Sequence, residues 1–365
     1  MRAAAAVTPR SLAGGPSLSR SGLVLGGGLV LLAAAAVAAV ALGSTSISLG
    51  DTLGILGHRL LGIGSGTGWS ATSEEIIIEL RLPRALTAIL VGGGLGMAGA
   101  AFQALLRNPL ADPYIIGTAS GASLGAVVAL MLPLLAPGLA LGAGSAWLGI
   151  GLVQVLAFLG GVGTVLLVYA VSRSARGGPV TLLLTGYAVS SILAAGVALL
   201  MYLSGNRLGA IFAWLMGSLD GGSWPKLAMA GPLVAVSLVW LLSRWRRLNV
   251  LLLGDAQAAH LGVDVGRERL LLTILASLAT SAVVAVAGTI GFVGLVVPHV
   301  LRLVAGPDHR LLLPASLLYG GALLTLADLG ARLAGGIPVG IVTALVGAPF
   351  FIWLLVRSRR VEGVA

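Results

Sequence analysis

Apolar residues run along this chain in long unbroken blocks, at roughly 22–42, 85–106, 114–136, 147–171, 180–203, 227–243, 270–305, 311–333 and 337–356. Short stretches rich in arginine, proline, glycine and aspartate separate them. A helix needs about 20 apolar residues to cross a hydrocarbon core of about 30 Å. The blocks approach or exceed that length, and they lack the period-two alternation of barrel strands. The pattern therefore predicts an all-α polytopic membrane protein. The first block follows Arg2, Arg10 and Arg20, as the core of a signal peptide would. It is longer than the roughly 7–15 residues of such a core, so it reads as the first membrane helix.

Residues 270–305 are too many for one ordinary span, and AGTIGFVG (287–294) is a candidate turn inside them. Arg267 and Arg269 precede this block, and Arg302 and Arg310 lie at its end and beyond. If both pairs are cytoplasmic, as basic loop residues tend to be, the chain crosses twice here, as helices of about 18 residues each. The result is ten transmembrane helices with both termini cytoplasmic. A tail over 1–21 leads into one transmembrane domain over 22–356, and a second tail covers 357–365. Of the 22 basic residues, only Arg59, Arg81, Arg84, Arg207, Lys226 and Arg332 then lie outside or near that face. The inverted topology would place most of them on the translocated side and is rejected.

Composition sharpens this picture. The chain is 58% hydrophobic and 9% charged, with a mean hydropathy of +1.05, whereas a soluble domain carries roughly 25% charged residues. The formal charge of +10 follows from basic residues in cytoplasmic loops, and no nucleic-acid partner is needed to explain it. Cysteine is absent, which excludes disulfides and thiolate chemistry.

The breaks between blocks carry the candidate function. RNPLADPYIIG (107–117) falls in a cytoplasmic hairpin between the second and third predicted helices. Pro109 and Pro113 stop helices, and Asn108 and Asp112 are suited to cap backbone groups near the next helix start. Gly92, Gly96 and Ala100 on one side, and Gly117, Gly121 and Gly125 on the other, form small-residue stripes that let membrane helices approach closely. On this pattern a structural turn and a gate stand equal. SRWRRLNVLLLGDAQAAHLGVDVGRER (243–269) is the longest cytoplasmic connection, and its apolar residues around Gly254 and Gly262 predict two short amphipathic helices. These fit a membrane-surface pair or a docking knob for a soluble partner.

Catalytic constellations are missing. His58, His260, His299 and His309 show no metal-ligand spacing, and no GxSxG occurs. The only lysine is Lys226, so a GxxxxGK[ST] phosphate loop is impossible. No metal or cofactor is expected, and ATP-driven work would fall to another polypeptide. Asp328 is the best intramembrane acid, yet it sits four residues before Arg332 and reads as half of a structural ion pair rather than a proton carrier. Thr181, Thr185, Ser191 and Ala195 stripe the fifth predicted helix, as helix packing or as a polar path. RLPR (81–84) places two arginines on the face where basic residues are scarce, which suits either interfacial snorkelling or an acidic partner.

Taken together, the motifs resemble the FecCD-type permease family of ATP-binding-cassette importers for iron–siderophores, haem and vitamin B12. They are RLPRALTAILVGGGLGMAGAAFQALLRNPLADPYIIGTASGASLGA (81–126), WLMGSLDGGSW (214–224), LLLGDAQAAHLGVDV (251–265), GTIGFVGLVVPHVLRLVAGPDHRLLLP (288–314), LADLGARL (326–333) and IPVGIVTALVGAPFFIWLL (337–355). The resemblance spans about 80–356 and is loose over the first helix and 44–80. It implies a ten-helix subunit in the plasma or inner membrane, with two inverted bundles around the fifth helix. The implied partners are a second permease copy or close paralogue, two cytoplasmic ATPases, and a periplasmic or lipid-anchored substrate-binding protein, with lipid around the whole.

By position, the resemblance gives Arg81, Arg84 and Arg332 to binding-protein docking. It gives Asn108, Pro109 and Leu110, with the RGGPVT loop (176–181), to a cytoplasmic gate, although Gly177, Gly178 and Pro179 stand where relatives can carry hydroxyl residues. Leu253, Gly254, Asp255, Ala258, Leu261, Gly262 and Val263 fall to ATPase coupling. Thr181, Thr185, Ser191 and Arg207 are assigned to the translocation path. The rival reading is an ion-coupled secondary transporter working without an ATPase.

Overall fold

The computed structural model describes residues 18–43, 45–63, 68–135, 151–174 and 178–362, and among them every regular element is helical. Residues 1–17 and 363–365 of the two predicted tails, and Arg176 and Gly177 of the RGGPVT loop, lie outside the described residues. A first long helix, α1 (Leu18–Ala41), is followed by the short α2 (Leu49–Leu61) and α3 (Ala71–Glu75). A π-helical turn, Ile76–Arg81, runs directly into α4 (Leu82–Leu105). Then come α5 (Thr118–Leu135), α6 (Leu152–Ser174), α7 (Pro179–Tyr202), α8 (Leu208–Leu215) and α9 (Trp224–Ser243). The short α10 (Trp245–Leu251) and α11 (Asp255–His260) precede α12 (Val265–Ala287), α13 (Val293–Ala305), α14 (His309–Leu333) and α15 (Val339–Glu362). Among the described residues, 7 helices are long and apolar enough to cross a membrane, and Thr118–Leu134, Val293–Ala305 and Val339–Trp353 are shorter apolar helices.

The block 270–305 does divide, but unequally. In place of two helices of similar length, α12 has 23 residues and α13 has 13. Asp264 moves the start of α12 upstream by accepting a hydrogen bond from the backbone N–H of Arg267 at 3.0 Å. The break falls where Gly288 (φ +69°) and Phe292 (φ +69°) leave the right-handed region. Phe292 is a bulky residue in a conformation that disfavours side chains, and its ring lies against Gly347 of α15.

The bundle is centred on α4, not on the fifth crossing as the resemblance implied. Along the span that contains α4, 83% of the apolar window is buried, against 17% for α7. The cause is side-chain size. A methyl group on Gly92 would sit 2.2 Å from the Gly320 carbonyl oxygen, and one on Gly96 2.4 Å from that of Ser316, so α4 and α14 meet backbone to backbone. The second stripe does the same for α5 and α6, where Gly121 and Gly125 face the carbonyls of Gly160 and Leu156. By contrast α7 turns large side chains outward. It leaves Leu184, Tyr187, Ile192, Leu199 and Tyr202 exposed along one side.

Candidate functional site

Three arginines converge where the chain enters α4. Arg84 grips the Asp328 carboxylate in a bidentate contact, Nε at 2.9 Å and Nη2 at 2.8 Å, while its Nη1 lies 2.6 Å from Asp220. Arg332 approaches the same Asp328 at 3.3 Å and donates from Nη2 to the Ala39 carbonyl at 2.8 Å. The Asp328 side chain is 2% exposed. Fixed by two guanidinium groups, it is a structural anion, as its spacing to Arg332 suggested.

Arg81 corrects the sequence reading. Read as an interfacial snorkelling residue or one that meets an acidic partner, it is instead 6% exposed and donates to the carbonyls of Val40 (3.0 Å), Ala41 (2.8 Å) and Thr45. Its guanidinium closes the C-terminal end of α1, where helix carbonyls otherwise lack partners. Reversing its charge would therefore test folding before it tested docking. What stays open is a cavity of about 630 Å³ lined by all three arginines and by Asp220. Three cations there face two carboxylates.

A second charged cluster lies just beyond the other end of α4. Arg107 (φ +50°) leaves the helix and its Nη2 donates to Asp255 at 3.0 Å; Arg269 reaches the same carboxylate at 3.0 Å. Two segments that the sequence kept apart, RNPLADP and 251–265, thus share one ion-pair network. Asn108 and Asp112 do cap backbone groups, but within the loop. Asn108 Oδ1 accepts from the Leu110 N–H (2.9 Å) and Asp112 Oδ1 from the Tyr114 N–H (2.8 Å), both ahead of α5. Pro109 is exposed, and Asn108 and Leu110 are half-buried. Desolvation pushes the Asp112 carboxyl up to about 6, against the pull of the Tyr114 N–H. The Tyr114 hydroxyl donates to the Ile290 carbonyl at 3.0 Å and accepts from the Ile290 N–H at 3.2 Å, which ties the loop to the break before α13.

The 243–269 connection forms two short helices as predicted, α10 and α11, and 251–265 holds the second of them. Gly254 (φ +106°) and Gly262 (φ +78°) take up the left-handed geometry at the bounds of α11. The segment has two faces. Ala258 and Val263 are buried and fasten it to the bundle, so they do not meet a partner directly. Leu253 and Leu261 point outward, 56% and 61% exposed.

The path residues differ in exposure. Thr181 and Thr185 are half-buried, and Ser191 is exposed but bonds the Tyr187 carbonyl of its own helix at 2.9 Å. Arg207 donates to the Leu130 carbonyl at 3.0 Å, which fixes it to the end of α5. Sequence reading missed the Arg107–Asp255 pair, whose members lie 148 residues apart. It also missed Tyr114, where one aromatic in a polar loop was the available signal.

The family model of the FecCD transport family matches residues 31–357. The chain belongs to the FecCD transport family. It is 41% identical to the cobalamin import system permease BtuC of Halobacterium salinarum, over 90% of each chain. It is 40% identical to the Fe(3+) dicitrate permease FecD of Escherichia coli K12, covering 84% of this chain and 97% of that one. With the hemin permease HmuU of Yersinia pestis it shares 36% identity, over 84% and 92%. Among solved structures, a metal-chelate-type ABC transporter in an inward-facing conformation matches at a TM-score of 0.77 and 33% identity, covering 92% of this chain and 99% of that one. The protein is a multi-pass membrane permease of the ABC-importer class.

Proposed function

We propose that this permease crosses the membrane ten times with both termini in the cytoplasm, and that a second copy or close paralogue completes a path for importing a metal chelate. An iron–siderophore is the leading cargo, with haem and cobalamin as alternatives; the relatives are named for Fe(3+) dicitrate, hemin and cobalamin. Two separate ATPase subunits drive the cycle, and a substrate-binding protein delivers cargo at the arginine-lined cavity. The remaining cation excess around Arg84 and Arg332 there favours acidic groups on that protein.

The observation that carries this reading is the two-faced coupling segment. Leu253 and Leu261 are free to enter a cleft in the ATPase, while Asp255 transmits the pull to Arg107 and the Asn108–Leu110 turn. The exposed side of α7 would meet the second permease copy and line the path with Ser191. Ion coupling finds little support, since Asp328 already has two arginine partners.

Reconstitution in liposomes tests the proposal. Chelate uptake should require ATP, the ATPase and the binding protein together, and a proton gradient across liposomes holding the permease alone should give none. Uptake by the permease alone under that gradient would replace this reading with the secondary-transporter one.

A further inference from the structure

A cavity of about 600 Å³ opens where α9, α10 and the start of α12 meet, and its lining includes none of the ion-paired residues of the two charged clusters described above. Its lower wall is apolar and includes the exposed Trp240 and Ile274 on membrane-spanning helices. Its upper rim carries Arg244, Arg247 and Arg267 with Glu268 and Asp264. The cavity therefore sits at the boundary between an apolar span and the polar coupling segment.

The three arginines differ in what already holds them. Arg244 lies 3.1 Å from the largely buried Glu268 carboxylate and stacks 5.6 Å from the Trp240 ring centroid, so its charge is matched. Asp264 is occupied at the start of α12 by the Arg267 backbone N–H. The guanidinium groups of Arg247 and Arg267 are exposed and, among the described residues, have neither an acidic partner nor an aromatic ring. Arg246 and Arg310 nearby both stack on Trp245. Two arginines without ion-pair partners thus overhang an aromatic and aliphatic wall that continues onto the lipid-facing surface, and the rim as a whole sets three cations against two carboxylates. A free phosphate would satisfy the cations but would have no use for that wall. A soluble acidic peptide would leave it exposed.

We propose that this cavity binds the headgroup of an anionic glycerophospholipid. The phosphodiester lies between Arg247 and Arg267, and an acyl chain runs down along Trp240 and Ile274. Such a lipid would wedge α10 against α12 beside the coupling segment. The inference rests on membrane residence and basic-residue placement, and it stands whether or not the transport reading holds.

The test titrates the full-length chain in mild detergent with phosphatidylglycerol, phosphatidylcholine or inorganic phosphate, and counts bound molecules by native mass spectrometry. Phosphatidylglycerol should be retained over phosphatidylcholine. Arg247→Gln with Arg267→Gln should weaken its retention about 30-fold, since each arginine near a membrane surface contributes about fivefold and the two contributions multiply. Because neither guanidinium has a partner to lose, thermal unfolding should not shift. Trp240→Ala should also weaken retention with both arginines in place, whereas Arg173→Gln, in an exposed basic position on α6, should leave it unchanged. Retention by the double variant equal to that of the wild type overturns the proposal. So does displacement by inorganic phosphate at equal concentration, which would make this a simple anion site. Unaltered lipid retention combined with lost ATPase assembly would instead assign the arginines to a protein partner.

Discussion

At the N-terminal end of α4, Arg84 and Arg332 enclose Asp328, whose side chain is 2% exposed. Roughly 36 Å along, at 1.5 Å per residue, Arg107 and Arg269 share Asp255, whose side chain is 44% exposed. Both clusters join two arginines to one aspartate, yet their settings give them opposite uses. A buried carboxylate held by a bidentate contact cannot lose a partner cheaply, so the first cluster fixes α4, α14 and the end of α1 as one body. An exposed pair is weak and readily exchanged, so the second can break and re-form as segments move. Rigidity at one end and exchange at the other are what a gated bundle needs.

The first way to break this contrast is Asp328→Ala. It leaves Arg84 and Arg332 without their buried anion and should cost about 3–5 kcal/mol. The expected readout is a large loss of folded protein in detergent and a lowered unfolding temperature. A variant as stable as the wild type would show that the first cluster is no stiffer than the second.

The next largest effect concerns Leu261→Asp. It removes an exposed apolar anchor without disturbing Ala258 or Val263 beneath it. Assembly with the ATPase should weaken by on the order of 2 kcal/mol or more, and binding-protein-stimulated ATP hydrolysis should fall, while membrane insertion stays normal. A variant that still assembles and transports at the native rate would return 251–265 to a membrane-surface role.

Asp112 sharpens the comparison through pH. Its carboxyl is pushed up to about 6 by desolvation, so the fold prefers the protonated form. That contribution is complete below the unfolded value near 3.8 and is lost as pH rises through about 6. Stability of the wild type should therefore drift down between about pH 4 and pH 7, on the order of 1 kcal/mol for a half-buried side chain already bonded to a backbone N–H. Asp112→Asn keeps a capping oxygen and should flatten the drift. Unfolding temperatures across that range, measured for both proteins, decide it.

The smallest stability effect belongs to Asp255→Asn, at most about 1 kcal/mol because the pair is exposed. Coupled transport should nevertheless fall, and a cycle with Arg107→Ala should show that the two substitutions do not add. Additive losses in transport would mean that the coupling segment and the loop act separately.

How far the sequence foretold this arrangement depends on range. The helices, the division of 270–305 and the glycine stripes were legible because hydropathy, positive φ and close approach each leave a local mark, as at Gly92, Gly96 and Gly254. The central place of α4 was also implicit in its glycines, but the family resemblance drew attention to the fifth crossing instead. Arg81 was misjudged because its partners are main-chain carbonyls at 40, 41 and 45, which no side-chain motif announces. The Arg107–Asp255 pair was hidden for a related reason. Each residue had a sufficient local explanation, and only folding brings a loop and a helix 148 positions apart within 3.0 Å.

The central claim is that the loop after α4 moves with the energy cycle while the Asp328 cluster holds. The native chain has no cysteine, so Asn108→Cys gives an unambiguous probe. Oxidative cross-linking of the assembled transporter, with and without ATP, measures whether two copies of this position approach each other. The account predicts a cross-subunit disulfide in one nucleotide state and little or none in the other. Equal cross-linking in both states would contradict it and leave Asn108–Leu110 a static turn.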